Sequence, residues 1–201
     1  LITGISGFIG QNLIEHLSSN KYSILGLSRS MKMNEGNIKI LNFGLEDLNQ
    51  IKDQIVDFNP EIVVHLAWEG IPDYSVSICL KNFNLSLRLF NLLVRVGCKT
   101  IFSAGTCWEY GDLRGQVHES DIPANLTLFA SIKSGLQLAG QSIFNFPTIN
   151  FIWGRFFFIY GPGQRATSLI PSCFQTISKG KIPIIKKTVL FDVIEFETIF
   201  K

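Results

Sequence analysis

The chain begins with the sequence Leu1-Ile2-Thr3-Gly4-Ile5-Ser6-Gly7-Phe8-Ile9-Gly10, in which a glycine occupies every third position from Gly4 onward. A strand that ends at Gly4 must turn sharply, Gly7 lets the backbone approach a pyrophosphate, and Gly10 lets the following helix pack closely on the strand. The N-terminus of that helix binds phosphates through its free N–H groups and its dipole. The pattern predicts a dinucleotide-binding turn, and a purely structural turn is the alternative.

Size and charge restrict the class of protein. The 201 residues are 46% apolar, which is enough for one sizeable core, or for one domain and the beginning of a second. The 18 basic and 16 acidic residues are scattered along the chain and give a net charge of +2. Nothing in this balance predicts a nucleic acid or an anionic membrane as a partner. The longest apolar run, around residues 89–96, is too short to span a bilayer.

The four cysteines lie far apart in the sequence, at positions 79, 98, 107 and 173. They do not have the spacing typical of a zinc site, and a chain of this size does not depend on disulfides for its stability. We therefore expect reduced thiols, no metal site and a cytoplasmic location.

Strand and helix patterns alternate along most of the chain. Runs of β-branched and apolar residues predict strands at 22–27, 38–41, 61–66, 100–104, 150–153 and 155–159. Apolar residues at helical spacing predict helices at 48–58, 77–96 and 131–143, besides the helix that follows Gly10. Strands separated by helices of this length are typical of right-handed crossovers. The sequence therefore predicts an α/β fold with a doubly wound parallel sheet.

Four motifs occur in a fixed order along the chain. They are the glycine-rich turn, His65-Leu66-Ala67, the segment from Thr106 to Gly111, and Tyr160-Gly161-Pro162-Gly163. Together they resemble the NAD(P)-dependent epimerase/dehydratase family, the extended short-chain dehydrogenase/reductases that act on nucleotide sugars. The resemblance covers essentially the whole chain and implies a Rossmann fold.

The resemblance also implies a division of the chain. Residues 1–160 correspond to the NAD(P)-binding Rossmann domain, and residues 161–201 to the start of an incomplete substrate-binding region. The stretch Phe191-Asp192-Val193-Ile194-Glu195-Phe196 resembles a strand of the family that begins with an aspartate, and the chain ends shortly after it. Because a strand usually needs about five residues, we also expect a few residues to precede Leu1.

The chemistry of the family uses a hydroxyl, a tyrosine and a lysine. The resemblance assigns the hydroxyl to Thr106 and the lysine to Lys133, but Phe129 stands at the tyrosine position, four residues before Lys133. Phenylalanine has no proton to give, so general acid–base catalysis, typically worth about 10²–10⁴-fold, must come from a water or another group. Cys107 and Tyr110 are nearby candidates. A nicotinamide-binding protein without catalysis, or a truncated fragment, is the alternative.

The residues after Thr106 restrict the type of reaction that the resemblance implies. Sugar 4,6-dehydratases of the family carry an Asp-Glu pair at the places of Cys107 and Trp108, so the resemblance disfavours dehydration. It implies an epimerase or reductase that transfers hydride at one carbon of a nucleotide-linked sugar or deoxysugar. The expected substrate contacts are Trp68, Cys107, Trp108 and Arg165.

The end of the second strand indicates which nicotinamide is bound. Members that bind NAD carry an acidic residue there, which accepts hydrogen bonds from the ribose hydroxyls. Ser28 stands at this position and Arg29 follows, which favours NADP(H) because a guanidinium binds a 2′-phosphate. For Arg29 a solvated surface arginine is the alternative, and for His65 a core histidine. The resemblance assigns the cofactor to Gly4, Gly7, Phe8, Ile9, Gly10, Ser28, Arg29, Leu45, His65, Leu66, Ala67, Asn82 and Lys133.

Relatives often form dimers by packing two long helices from each subunit. The corresponding helices are those predicted at 77–96 and 131–143. The resemblance therefore implies a homodimer, although both helices are also expected to face the sheet.

Overall fold

The computed structural model describes residues 1–18, 22–30, 36–113, 115–184 and 193–195. The strands are β1 (Ile2–Thr3), β2 (Ile24–Leu27), β3 (Ile38–Leu41), β4 (Ile62–His65), β5 (Thr100–Thr106), β6 (Asn150–Phe156), β7 (Phe158–Tyr160) and β8 (Val193–Glu195). The helices are α1 (Phe8–Ser18), α2 (Leu48–Phe58), α3 (Val76–Val96), α4 (Leu128–Ile143) and α5 (Leu169–Ser178). Short 3₁₀ helices follow β3 at Leu45–Asp47 and β5 at Cys107–Tyr110.

Six of these strands form one parallel sheet in the order β3-β2-β1-β4-β5-β6. The order changes direction at β1, which pairs with β2 on one side and with β4 on the other. This is the strand order of the doubly wound sheets that bind dinucleotides, so the predicted fold class is confirmed. β7 and β8 form a separate parallel pair, in which Phe158 lies opposite Val193.

The structure changes several predicted boundaries. The helix predicted at 131–143 begins at Leu128, because the Thr127 hydroxyl accepts a hydrogen bond from the N–H of Ala130 and caps it. The strand predicted at 150–153 continues through Gly154 to Phe156, because its pairing with β5 extends that far. Of the predicted strand at 191–196, residues 193–195 form β8, whereas Asp192 lies outside the described residues.

Apolar residues on the helices cover both faces of the sheet. On one face, α3 buries Leu85, Leu89 and Leu93, which recur at helical spacing, in a cluster that also includes residues of α2 and α4. On the other face, Leu13 and Ile14 of α1 pack against apolar residues of β1, β2 and β3. Full burial of one such leucine contributes about 1.5–3 kcal/mol, so these faces hold the three layers together.

The outer surfaces of the helices are mixed. Leu80 on α3 and Leu138 on α4 are exposed, and the homodimer through these two helices stays a prediction. Among the residues that the structure describes, no helix combines the length and the hydrophobicity that a membrane span needs.

A buried chain of hydrogen bonds joins β1, β4 and α3. His65 Nδ1 lies 2.7 Å from Thr3 Oγ1, and His65 Nε2 lies 3.0 Å from Ser86 Oγ. Ser86 Oγ donates to the carbonyl of Asn82 at 2.8 Å, so it accepts from His65 Nε2, and Thr3 then donates to Nδ1. Both ring nitrogens of His65 are therefore bonded inside the protein, as in a core histidine.

Burial lowers the pKa of His65 from its ordinary value of 6.5 to about 3, and the nearby charge of Lys133 contributes a smaller part of this shift. The folded protein therefore keeps His65 neutral in the range where the unfolded chain takes up a proton. The contribution of the neutral ring to stability is complete above about pH 6.5 and declines as the pH falls toward 3.

The helix α1 packs against the turn that precedes it without room for a side chain at Gly10. A Cβ atom at Gly10 would lie 2.5 Å from the carbonyl oxygen of Gly4 and 2.7 Å from Cα of Ile5. These neighbours are backbone atoms, which cannot move aside as a flexible side chain can. The close backbone packing thus explains why the sequence has a glycine at this position.

We expect Gly10→Ala to lower the free energy of unfolding by about 1–3 kcal/mol, because the new methyl group overpacks the turn. Gly135→Ala is the matched control. Gly135 also lies in a helix, and its Cβ would meet only Phe83 at 3.8 Å, so alanine there should stabilise by about 0.5–1 kcal/mol. Urea denaturation measures both variants, and equal effects of the two substitutions would contradict the close packing at Gly10.

We expect His65→Gln to lower the free energy of unfolding at pH 7 by about 1–3 kcal/mol, because the hydroxyls of Thr3 and Ser86 lose well-placed partners. The difference from the wild type should shrink at pH 5, since the wild type loses up to about 1.4 kcal/mol per pH unit below the ordinary histidine pKa and the variant does not. Urea denaturation at the two pH values measures it. A difference that stays constant would show that His65 is not held neutral.

Candidate active site

A cleft opens at the carboxyl ends of β1, β2 and β4, where the strand order changes direction. In open parallel sheets ligands bind at this place, outside the carboxyl ends of the strands. Its lining comes from the turn after β1, the loops after β2, β3 and β4, and one face of α3. The lining residues are Thr3, Gly4, Ser6, Gly7, Leu27, Ser28, Arg29, Phe43, Gly44, Leu45, Glu46, Leu66, Ala67, Trp68, Glu69, Asn82 and Leu85.

The floor of the cleft is backbone. Gly4 has a φ of +72°, and a Cβ there would lie 2.8 Å from the backbone nitrogen of Ala67. The turn closes with a hydrogen bond of 2.9 Å from the N–H of Gly7 to the carbonyl of Gly4, and α1 begins at Phe8. The floor of the cleft is thus formed by glycine backbone next to the N-terminus of α1. Such a surface fits the diphosphate of a dinucleotide.

Trp68 offers a second sign of a ligand at the cleft. Its indole nitrogen is buried, and among the described residues it has no hydrogen-bond acceptor. Buried donors in native structures are nearly always paired, so an acceptor on a bound ligand would satisfy this one. The residues present therefore fit a nicotinamide dinucleotide.

Charged side chains lie at the rim of the cleft. Arg29 Nη1 pairs with Glu69 Oε2 at 2.8 Å and lies 3.7 Å from Glu46 Oε1, while 58% of the Arg29 side chain remains exposed. Lys81 also pairs with Glu69. The buried Asn82 side chain fixes Glu69, because it accepts from the Glu69 N–H at 2.8 Å and donates to the Glu69 carbonyl at 3.1 Å. Two carboxylates therefore flank the arginine that was predicted to bind a 2′-phosphate.

Lys133 is buried next to the cleft wall. Its Nζ donates to the carbonyl of Ala104 at 2.8 Å and lies 4.0 Å from the centre of the Trp68 ring. Burial lowers the pKa of Lys133 to about 7, and the charge of Glu109 opposes this shift. Near neutral pH the lysine can therefore exchange a proton at little cost.

Thr106 ends β5 and caps the short helix that follows. Its Oγ1 accepts a hydrogen bond from the N–H of Trp108 at 3.3 Å, and its own N–H donates to Glu109 Oε1 at 2.7 Å. Glu109 is almost fully buried and also accepts from Trp153 and Arg155 at 2.9 and 3.4 Å. Glu109 is thus a structural carboxylate that fixes the backbone of Thr106.

Tyr110 and Cys107 are the two residues that the sequence suggested as substitutes for the missing tyrosine. The ring of Tyr110 is buried, lies 4.8 Å from the Arg155 guanidinium and packs on Phe157. Burial raises the pKa of the Cys107 thiol, and a hydrogen bond with Thr106 only partly offsets this. The ring of Tyr110 is thus enclosed by Arg155 and Phe157, and burial keeps the Cys107 thiol protonated.

Phe129 lies in an aromatic cluster together with Trp68, Trp108 and Tyr74. The centre of its ring is 5.3 Å from that of Trp68, 5.7 Å from that of Trp108 and 4.8 Å from that of Tyr74. Because Lys133 packs on Trp68, which lines the cleft, the cluster brings together four of the predicted catalytic and substrate residues, which are Trp68, Trp108, Phe129 and Lys133. Sequence reasoning missed Tyr74, since no motif contains it.

Some predicted residues do not line the cleft. Lys133, His65 and Gly10 do not line it in the part of the chain that the structure describes, and neither do Phe8 and Ile9. Ile9 instead lines an apolar cavity on the α1 side of the sheet.

Arg165, a predicted substrate contact, follows β7. It donates to the carbonyl of Ile71 at 3.0 Å. This bond joins the loop after β7 to the loop after β4, close to Tyr74.

Comparison with known proteins identifies relatives of the chain. Protein CapI of Staphylococcus aureus is 26% identical over 82% of this chain and 55% of its own length. A dTDP-6-deoxy-L-talose 4-dehydrogenase (NAD(+)) of Aggregatibacter actinomycetemcomitans is 22% identical over 98% of this chain and 75% of that protein. The chain thus spans little more than half the length of the first relative.

The fold also occurs in a solved structure of UDP-N-acetylglucosamine 4-epimerase from Methanobrevibacter ruminantium M1 in complex with UDP-N-acetylmuramic acid. The TM-score is 0.84 at 24% identity, over 98% of this chain and 69% of that one. At this identity the likeness shows the fold alone. The family model described as NAD dependent epimerase/dehydratase family matches residues 1–194, which is nearly the whole chain. The chain therefore belongs to the NAD dependent epimerase/dehydratase family.

Proposed function

We propose that this protein is an NAD(P)-dependent epimerase or keto-sugar reductase that transfers hydride at one carbon of a nucleotide-linked sugar. The observation that carries the proposal is the glycine-floored cleft at the switch point of the sheet, with Lys133 packed on Trp68 of its lining. The relatives support the substrate class, since their names include a dTDP-deoxysugar 4-dehydrogenase and a probable UDP-glucuronate 4-epimerase.

The residues of the chain have separate roles in this proposal. The turn from Gly4 to Gly7 and the N-terminus of α1 bind the diphosphate of the dinucleotide, which supplies or accepts the hydride when bound. The hydroxyl of Thr106, whose oxygen already accepts from Trp108, can donate its proton to an oxygen of the sugar. Lys133, when it is protonated, would place a positive charge beside Trp68 of the cleft lining, where it would stabilise negative charge that develops on the sugar oxygen.

A turnover assay tests the proposal and separates its two forms. The protein is mixed with NADPH or NADH and a 4-keto-6-deoxysugar linked to UDP or dTDP, and the loss of nicotinamide absorbance is followed. An epimerase is assayed with a UDP-hexose and NAD⁺, and NMR of the sugar follows the configuration. We expect turnover in one of the two assays. A protein that binds dinucleotide and converts none of these sugars would contradict the proposal.

We also propose that NADP(H) is preferred over NAD(H). Arg29 is exposed at the rim directly after the buried Ser28, where a 2′-phosphate would arrive, and an arginine binds such a group through charge-assisted hydrogen bonds. The carboxylates of Glu46 and Glu69 oppose the binding of a phosphate. The preference for NADP(H) therefore depends on whether Arg29 leaves its ion pair with Glu69 and binds the 2′-phosphate instead.

We expect Arg29→Ala to weaken NADPH binding by about 10–100-fold while leaving NADH binding within about threefold, since a hydrogen bond to a charged group is worth about 1.5–3 kcal/mol. Glu46→Gln should strengthen NADPH binding, because it removes a negative charge 3.7 Å from Arg29. Fluorescence titration gives the Kd values, and Arg88→Ala, at an exposed position of α3, is the control. Equal affinity of the wild type for NADH and NADPH would overturn the NADP(H) preference.

A further inference from the structure

The ring of Phe129 is covered by a residue that does carry a phenol. Tyr74 lies in the loop between β4 and α3, and the centre of its ring is 4.8 Å from that of Phe129 and 5.2 Å from that of Trp108. Phe129 is only 7% exposed, whereas Tyr74 is half-buried and keeps contact with solvent. A residue that carries a phenol therefore packs against Phe129 on its more exposed side.

The loop that carries Tyr74 is held in place from two sides. Arg165 donates to the carbonyl of Ile71 at 3.0 Å, and Ser75 donates through its N–H to Asp73 Oδ1 at 2.8 Å. α3 begins immediately after Ser75. The backbone of the loop that carries Tyr74 is thus held between the start of α3 and the arginine that was predicted to contact the substrate.

We propose that Tyr74 donates the proton to the carbonyl oxygen of a keto-sugar substrate and so replaces the phenol that Phe129 lacks. The inference rests on the proposed function in its reductive direction. It assigns a catalytic role to a residue outside the four motifs of the sequence.

The step balances in atoms and charge. The carbonyl carbon gains a hydride from a reduced nicotinamide, whose C–H bond breaks, and the C=O electron pair moves to the oxygen. That oxygen takes the O–H proton of Tyr74 and becomes the hydroxyl of the product. The Tyr74 phenolate recovers a proton from water, which its partial exposure permits.

The electrostatic surroundings keep the phenol of Tyr74 protonated. Burial raises the pKa of Tyr74 above its ordinary value, and the charge of Arg165 opposes the rise. The phenol is therefore neutral and able to donate near pH 7, while Arg165 stabilises the phenolate that remains.

Single-turnover reduction of a 4-keto nucleotide sugar, with the protein preloaded with NADPH, tests the inference. We expect Tyr74→Phe to slow the reduction by about 10²–10⁴-fold, the usual worth of general acid catalysis, without changing the Kd for NADPH. Phe129→Tyr in the Tyr74→Phe background should restore the rate. Tyr22→Phe is the matched control, because Tyr22 is 54% exposed and precedes β2. It therefore lies at the amino end of that strand, whereas the cleft lies at the carboxyl ends.

A second readout does not depend on turnover. In protein labelled with ¹³C at the tyrosine ring, the resonance that Tyr74→Phe removes should shift when a UDP-hexose binds, and that of Tyr22 should not. A Tyr74→Phe variant that reduces at the wild-type rate, or a resonance that does not shift, overturns the inference alone. A wild type that binds dinucleotide and epimerises a UDP-hexose but reduces no keto sugar also overturns the inference alone. A wild type that binds dinucleotide and neither reduces a keto sugar nor epimerises a UDP-hexose overturns the proposed function and this inference together.

Discussion

The architecture depends on one close contact, in which the turn after β1 lies directly against the end of β4. Gly4 touches the backbone at Ala67, and Gly10 touches the carbonyl of Gly4, so neither position has room for a Cβ atom. The hydrogen bond between Thr3 and His65 fixes the same two strands from inside. Because β1 and β4 lie on the two sides of the reversal in strand order, this contact defines the cleft and aligns the start of α1 with it.

The contact also determines which groups face the cleft. Backbone forms the floor, whereas the charges stand at the rim, where Arg29, Glu69 and Lys81 form ion pairs. Asn82 on α3 links the rim to the buried network, since its side chain holds the backbone of Glu69 and its carbonyl accepts from Ser86. A bound dinucleotide would thus meet a rigid floor and a rim whose ion pairs can be exchanged.

The glycine spacing, the alternation of strands and helices and the order of the motifs allowed the fold to be predicted, because these are local patterns repeated along the chain. Contacts between distant loops could not be predicted in the same way. Tyr74 meets Phe129 only because the loop after β4 folds onto the start of α4. The pairing of Arg29 with Glu69 likewise depends on the fold, because β2 and β4 end on either side of β1, although both residues adjoin recognisable motifs. Contacts between side chains of different secondary-structure elements depend on how the elements pack, and the spacing of residues along the sequence does not show this packing.

Hydrogen exchange with and without saturating NADPH tests most directly whether the turn after β1 is the dinucleotide site. We expect slower exchange of the backbone amides at residues 4–10 and 66–69, because the diphosphate covers the turn and the loop that it touches. Exchange in α5 should not change. Unchanged exchange at residues 4–10, under conditions where NADPH is bound, would show that the dinucleotide binds elsewhere and not at the turn after β1.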